Sequence, residues 1–285
     1  MALNRIEFRN VTKRFPPQRA GAEPVTAVRD VTVSVADGEV VSIIGPSGCG
    51  KSTLLNMGSG LYLPTEGEVR VDGEIVTKPN PHAAFMLQKD LLLPWRSIRE
   101  NVEFGLEVRG VDAKARAEKA HALLARCHLS GFENHYPHQL SGGMRQRAAL
   151  ARTLAVEPTV LFMDEPFSAL DAQTKMILQQ DLATMLAEEK KTALFITHDL
   201  AESIALSDRI LVMSARPGTL VEEIVVDIPD RHNPMSRRRH PKLHDLVYRL
   251  AELLHIGDKA NEEPIPSRIR VFVAVPWIAI PWDAP

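Results

Sequence analysis

The stretch Glu39–Val40–Val41–Ser42–Ile43–Ile44–Gly45–Pro46–Ser47–Gly48–Cys49–Gly50–Lys51–Ser52 decides the fold of this chain. Its first six residues make an apolar run of the kind that parallel sheets bury on both faces. The next eight fit G-x-x-x-x-G-K-[ST], and a helix is expected from about Lys51. Strand, glycine turn and helix in that order form a phosphate cradle. Glycines let the backbone wrap close to phosphate with its N–H groups inward, and the helix start adds partial positive charge. Lys51 is expected to reach the β- and γ-phosphates, and the Ser52 hydroxyl to ligate Mg²⁺. The loop alone implies a nucleoside triphosphate; it does not separate kinases, GTPases, helicases and transporters.

Upstream, Ile6–Phe8 and Val31–Val35 alternate as strands, with Pro16, Pro17, Gly21 and Pro24 marking a loop between them. Asp37–Gly38 is a hairpin-type turn signal. Downstream, Gly67–Val71 and Ala83–Leu87 are strand candidates, and Ser97–Leu129 has helical composition. Strand and helix then alternate through Thr159–Met163, Leu170–Glu188, Thr192–Ile196, Leu200–Leu206 and Arg209–Met213, a rhythm that implies a parallel sheet. The strand Thr159–Met163 runs into Asp164 and Glu165, at the sheet edge where α/β proteins bind ligands. Asp164 is expected to hold Mg²⁺, and Glu165 to polarise the attacking water as general base.

Composition narrows the class. Among 285 residues, 45% are hydrophobic and 25% charged, which excludes a wholly disordered chain. Lys plus Arg total 34 against 36 Asp plus Glu, so no nucleic-acid partner is expected. Two cysteines, Cys49 and Cys127, cannot build a disulfide framework and fit a reducing compartment. Met1–Phe15 lacks an apolar core of signal-peptide length, and no run of about 18 apolar residues occurs, so neither export nor membrane spanning is expected.

Leu140–Ser141–Gly142–Gly143–Met144–Arg145–Gln146–Arg147 adds a second candidate anion site. Ser141 suits a helix N-cap, and the glycines expose N–H groups at a helix start. One nucleotide cannot easily use both helix starts of one chain, whereas a second subunit could supply the other. Here the sequence resembles the nucleotide-binding subunit of an ABC transporter, from about Ile6 to Val226, with the hallmarks in order. Gly45–Ser52, with Thr53, resembles Walker A, and Gln88 the Q-loop glutamine. Leu140–Gln146 resembles the LSGGQ-type signature, with Met144 where many members carry Gln, a departure tolerated in the importer subgroup. Asp164 and Glu165 resemble Walker B and the catalytic glutamate, Ser168–Asp171 the D-loop, and His198 the switch histidine.

The resemblance implies an α/β fold: a P-loop NTPase core with a parallel sheet, an N-terminal antiparallel β subdomain and an inserted helical subdomain. The expected division is an ATPase domain at 1–228 with the helical subdomain at about 89–157, a helical extension at 229–261 and an apolar proline-containing tail at 262–285. ATP and Mg²⁺ are the implied cofactors. Ser52, Gln88 and Asp164 are the expected metal contacts, and Lys51, Gln88, Glu165 and His198 the catalytic groups. Nucleotide contacts are expected from Gly45, Pro46, Ser47, Gly48, Cys49, Gly50, Lys51, Ser52 and Thr53, and from Ser141, Gly142, Gly143 and Asp171, with the signature serving a partner's nucleotide. Phe15 either stacks on adenine or covers the core. Cys49, beside a helix start and Lys51, has a setting that activates thiols, so alkylation is expected to inhibit.

Implied partners are a second copy or a similar ATPase subunit, integral membrane permease subunits and an extracytoplasmic solute-binding protein, placing the chain peripherally on the cytoplasmic face of the membrane. Leu91–Leu92–Leu93–Pro94–Trp95, His135–Leu140 and Ala215–Gly218 resemble the nitrate/sulfonate/taurine importer subgroup. Leu91–Trp95 either fills core or receives a permease helix. Arg237–Arg238–Arg239–His240 is expected to be solvated surface, or less readily a lipid contact, and His244–Ile256 an amphipathic helix. The apolar stretch within 271–285 either packs on a neighbour, inserts at an interface or is an extension. The competing reading is a soluble ABC ATPase of the iron–sulfur assembly type, without a membrane partner.

Overall fold

The computed structural model describes residues 3–17, 21 and 23–256; the tail at 262–285 lies outside them. Three strands open the chain: β1 (Asn4–Phe15), β2 (Val25–Ala36) and β3 (Val40–Ile44). Helix α1 (Lys51–Gly58) leads to β4 (Glu66–Val71), β5 (Glu74–Ile75) and β6 (Ala83–Met86). Helices α2 (Ile98–Val108), α3 (Ala113–Arg126) and α4 (Gly142–Ala155) follow, then β7 (Val160–Asp164), α5 (Ala172–Glu188), β8 (Thr192–Ile196), α6 (Leu200–Leu206), β9 (Arg209–Met213), β10 (Leu220–Val225), α7 (Pro234–Arg238) and α8 (Lys242–Leu253).

Two sheets result. An antiparallel sheet has the order β2-β1-β4-β5, and a six-stranded sheet the order β10-β9-β3-β8-β7-β6. Strands β9, β3, β8, β7 and β6 are parallel to one another, and β10 is antiparallel at the edge. Strands β3, β7 and β8 are buried at every residue, in keeping with sequences that are apolar but for Ser42, Asp164 and Thr192. The turn at Asp37–Gly38 does not make a hairpin: it carries the chain from the antiparallel sheet into the parallel one, because β3 finds its partners in β8 and β9. β1 is longer than its alternating core suggests, so Phe15 ends the strand rather than sitting in the loop beyond it.

The helical stretch beginning at Ser97 breaks in two. Ser97 and Glu100 form a capping box at the start of α2. Gly110, at φ 74°, turns the chain, and Asp112 caps α3 by accepting from the Lys114 and Ala115 N–H groups. These two helices pack with α4 through Ile98, Val102, Leu124, Ala148 and Ala151. Among the described residues no helix is long and apolar enough to cross a membrane.

The basic run corrects an expectation. Only Arg239 lies exposed at the surface. Arg237 is 3% exposed. Its guanidinium donates to the carbonyls of Ile204 (3.1 Å), Ser207 (2.6 Å), Pro229 (3.1 Å) and Ile228. Two of these lie at the end of α6, where a helix exposes unpaired carbonyls and favours positive charge. Arg238 donates to Gln179 Oε1 (2.9 Å), and Gln179 Nε2 donates to Glu202 Oε2 (2.8 Å). The charge run thus stitches the C-terminal segment to α5 and the end of α6. Helix α8 then covers a cluster of Ile44, Ile204, Ile210 and Ile224 with Leu243 and Leu250.

Arg237→Ala leaves several buried carbonyls without a donor and is expected to cost about 3 kcal/mol, lowering Tm by roughly 6–12 °C. Arg239→Ala, two residues away and exposed, is expected to cost under about 0.5 kcal/mol. Thermal unfolding of both variants checks this.

Candidate functional site

The phosphate-type loop hangs between β3 and α1 and is wedged from two sides. Gly50, the N-cap of α1, has φ 104°, and a Cβ there would lie 2.6 Å from the Ala27 carbonyl oxygen on β2. A Cβ on Gly218 would lie 2.0 Å from the Cys49 carbonyl oxygen. No side chain is tolerated at either contact, so β2 and the 215–218 loop fix the curvature. Lys51 Nζ donates to the carbonyls of Gly45 (2.7 Å) and Pro46 (2.9 Å). Arg216 Nε donates to the Gly48 carbonyl (3.1 Å).

A cleft of about 270 Å³ opens above this loop. Ser47, Gly48, Gly50, Lys51, Ser52 and Thr53 line it, Phe15 and Val25 wall one part of it, and Gln88, Asp164 and Glu165 complete it. The structure therefore gathers residues from β1, the loop, the end of β6 and the end of β7. Phe15 meets Tyr62 edge-on at 5.5 Å, with Lys13 Nζ 5.4 Å from its ring centre. Gly45, Pro46 and Cys49 do not line the cleft: Gly45 packs on Met213, and Cys49 joins the core below.

Asp164 is 9% exposed. Burial pushes its carboxyl above the usual carboxylate range, against the pull of the Ser52 hydroxyl hydrogen bond and nearby Lys51. A hydroxyl and a carboxylate oxygen together are hard donors of the kind Mg²⁺ takes, and that ion needs few protein ligands when phosphates supply the rest. Among the described residues no cluster of three or more His, Cys, Asp or Glu suits a metal; the donor set here fits a cation shared with a polyphosphate.

Glu165 takes a left-handed conformation at φ 49°, unfavourable for a residue with a Cβ. Its surroundings hold it there. Its N–H donates to the Ile196 carbonyl (3.0 Å), and its own carbonyl accepts from Ser168 N–H (3.2 Å), Ser168 Oγ (3.0 Å) and Gln146 Nε2 (3.3 Å). The resulting turn aims the carboxylate at two candidate partners: Gln88 Nε2 donates to Glu165 Oε2 at 3.0 Å, and His198 Nδ1 lies 3.5 Å from the same oxygen. His198 follows β8, and Asp199 beside it caps α6 while pairing with Lys175 at 2.8 Å.

The second candidate anion site lies elsewhere. Ser141 caps α4 by accepting from Met144 N–H (3.2 Å), and Asp171 caps α5 by accepting from Thr174 N–H (3.0 Å). These bonds hold the Asp171 carboxyl below its usual range. Ser141, Gly142, Gly143 and Asp171 are absent from the cleft lining. Helix α4 is tied instead to the segment after Gln88: Arg145 pairs with Asp90 (3.0 Å), and Arg152 donates to the carbonyls of Asp90 (2.7 Å) and Leu91 (2.8 Å). Sequence reasoning did not assign Arg216 or Gln146 to the site. Arg216 entered only through the subgroup resemblance of Ala215–Gly218, which says nothing of the Gly48 carbonyl it reaches. Gln146 closes the signature-like stretch Leu140–Gln146, but nothing local placed its side chain on the turn after Glu165.

Cys49 departs from the expected reactive thiol. It is 1% exposed and sits in the apolar layer beneath the loop. Burial pushes the Cys127 thiol up to about 12. Both cysteines of the native chain are therefore expected to resist a thiol-specific reagent at pH 8, and both to react in denaturant. Fast stoichiometric labelling of native Cys49 contradicts this.

Comparison with known proteins agrees with this geometry. The ABC transporter family profile matches residues 28–168. The chain is 44% identical over 224 residues to an ABC transporter ATP-binding protein of Methanocaldococcus jannaschii, covering 79% of this chain and 83% of that one. It is 38% identical to the nitrate import ATP-binding protein NrtD of Synechocystis, covering 92% of this chain and 99% of the relative. It is 43% identical to the taurine import ATP-binding protein TauB of Yersinia pestis, covering 72% and 81%. The ATP-binding cassette MJ0796, solved as a dimer bound to ADP and Pi, superposes with a TM-score of 0.71 at 33% identity, covering 78% of this chain and 99% of that one. The chain thus belongs to the ABC transporter ATP-binding proteins, the cassettes that bind and hydrolyse ATP.

Proposed function

We propose that this chain is the ATPase subunit of a membrane importer for a small oxyanion, sulfonate or related organic solute. The observation that carries this reading is the similarity to NrtD, which runs through 92% of the chain. The helical segment at 89–157 supports it by offering a docking surface beside Gln88. Trp95 is 71% exposed, and Leu91, Phe104 and Val108 of the same segment are exposed too. Exposed apolar and aromatic groups in the segment that follows Gln88 suit a permease helix. The chain then sits peripherally at the cytoplasmic face, and meets an extracytoplasmic binding protein only through the permease.

In the proposed mechanism Phe15 stacks on adenine, the Ser47–Thr53 backbone wraps the phosphates, and Lys51 leaves its loop carbonyls for the β- and γ-phosphates. Ser52 and Asp164, with Gln88, would hold Mg²⁺, which neutralises phosphate charge. Glu165 takes a proton from the attacking water, Gln88 orients that water, and His198 contacts the γ-phosphate. Catalysis is then mostly positioning and charge stabilisation. Ser141, Gly142, Gly143 and Asp171, all outside the chain's own cleft, serve the nucleotide of a second ATPase subunit. ATP closes that dimer and hydrolysis opens it.

Glu165→Gln is expected to lower kcat by about 100-fold or more while ATP affinity stays unchanged; hydrolysis at the wild-type rate contradicts the assignment of the base. Purification of the native chain in mild detergent, with partners identified by mass spectrometry, tests the importer. A multi-span permease is expected, and recovery of only soluble assembly scaffolds overturns the reading.

A further inference from the structure

Gln146 lies in the first turns of α4, the helix that Ser141 caps. It is 3% exposed. Its amide is used at both ends: Nε2 donates to the Glu165 carbonyl at 3.3 Å, and Oε1 accepts from the Ala169 N–H at 3.2 Å. One side chain thus spans the turn from Glu165 to Ala169, which holds the left-handed Glu165 and leads into Asp171. Nearby, a Cβ on Gly143 would lie 3.2 Å from Leu170, so the start of α4 also packs against this turn. A buried amide bonded at both ends has one position. A shift of α4 therefore moves the turn, and with it the carboxylate that Gln88 and His198 face.

We infer that Gln146 is a positioning residue linking the two ATP sites of the dimer: it transmits engagement of α4 with the partner's nucleotide to Glu165 of its own chain. The inference rests on the two-site dimer proposed above. Ser141 and Glu165 then belong to different sites, and Gln146 is the side chain in the described residues that bonds α4 directly to the Glu165 turn. The coupling has a structural basis in one stiff element carrying two functions.

The test uses the full chain as wild type, Gln146→Leu, Gln146→Glu and Glu165→Gln. Leu matches Gln in size, and Ser168 still bonds the Glu165 carbonyl, so the turn loosens without a lost core. Gln146→Leu is expected to bind ATP with unchanged affinity and to accumulate the ATP-bound dimer, as Glu165→Gln does. Its kcat is expected to fall by about tenfold to 100-fold, and its Hill coefficient for ATP to fall to 1 from a wild-type value above 1. Gln146→Glu keeps an acceptor for Ala169 but loses the donor to Glu165, and is expected not to rescue. It also serves as the variant measured if Gln146→Leu does not fold. Wild-type kcat in both variants overturns the inference, as does loss of the ATP-bound dimer, or a wild-type Hill coefficient of 1. A wild-type chain that forms no ATP-dependent dimer instead overturns the two-site reading on which the inference stands.

Discussion

Four adjacent parallel strands, β3, β8, β7 and β6, end at one edge of the sheet, and the chemistry of the cleft depends on that alignment. Ile43 pairs with Ile196, Ile196 with Asp164, and Met163 with Met86. Each strand then delivers its next residues to the same place: the phosphate loop from β3, His198 from β8, Glu165 from β7 and Gln88 from β6. None of these segments is near another in sequence. What holds them side by side is burial of the strands on both faces, where each Val, Leu, Ile or Phe contributes roughly 1.5–3 kcal/mol. Ligands bind at such strand ends in open α/β sheets, and here the sheet order assembles the site.

The strain at Glu165 is the counterpart of that order. A non-glycine residue at φ 49° costs of order 1–2 kcal/mol. It persists because Ile196, Ser168 and Gln146 bond its backbone on all sides. The strand supplies the position and the polar shell supplies the orientation. A similar division holds at the rear of the site. Buried Gln179 and Glu202, with Lys175 and Asp199, brace α6 behind His198, and Arg238 joins the C-terminal segment to the same network.

Much of this was legible in the sequence, for identifiable reasons. The core strands announced themselves because both faces are apolar, and the loop did because its glycines are demanded by close contacts, such as the 2.6 Å between the Ala27 carbonyl and a Cβ placed at Gly50. Ser141 caps its helix as expected, while the caps at Ser97, Asp112 and Asp171 emerge from the structure. The failures were tertiary. Nothing local says that Arg237 is drawn inward by the carbonyls at the end of α6, so a run of charges looked like surface. Asp37–Gly38 looked like a hairpin because turn chemistry does not reveal which sheet the next strand joins. Cys49 looked reactive from its neighbours in sequence, and its sulfur does lie 3.9 Å from Lys51 Nζ, yet the residue is almost fully buried and closed to a reagent. Strand β10 and helix α7 had too little pattern of their own, and owe their place to β9, α5 and α6.

In the proposed dimer the loop and the signature of one chain belong to two different nucleotide sites. The most direct measurement is intersubunit cross-linking. A tagged chain carrying Ser47→Cys is mixed with an untagged chain carrying Ser141→Cys, each with Glu165→Gln, with Cys49 and Cys127 shielded by burial. Addition of ATP and Mg²⁺ followed by mild oxidation should give a covalent heterodimer that ADP does not support. A yield independent of nucleotide, or no cross-linked product at all, would contradict the account.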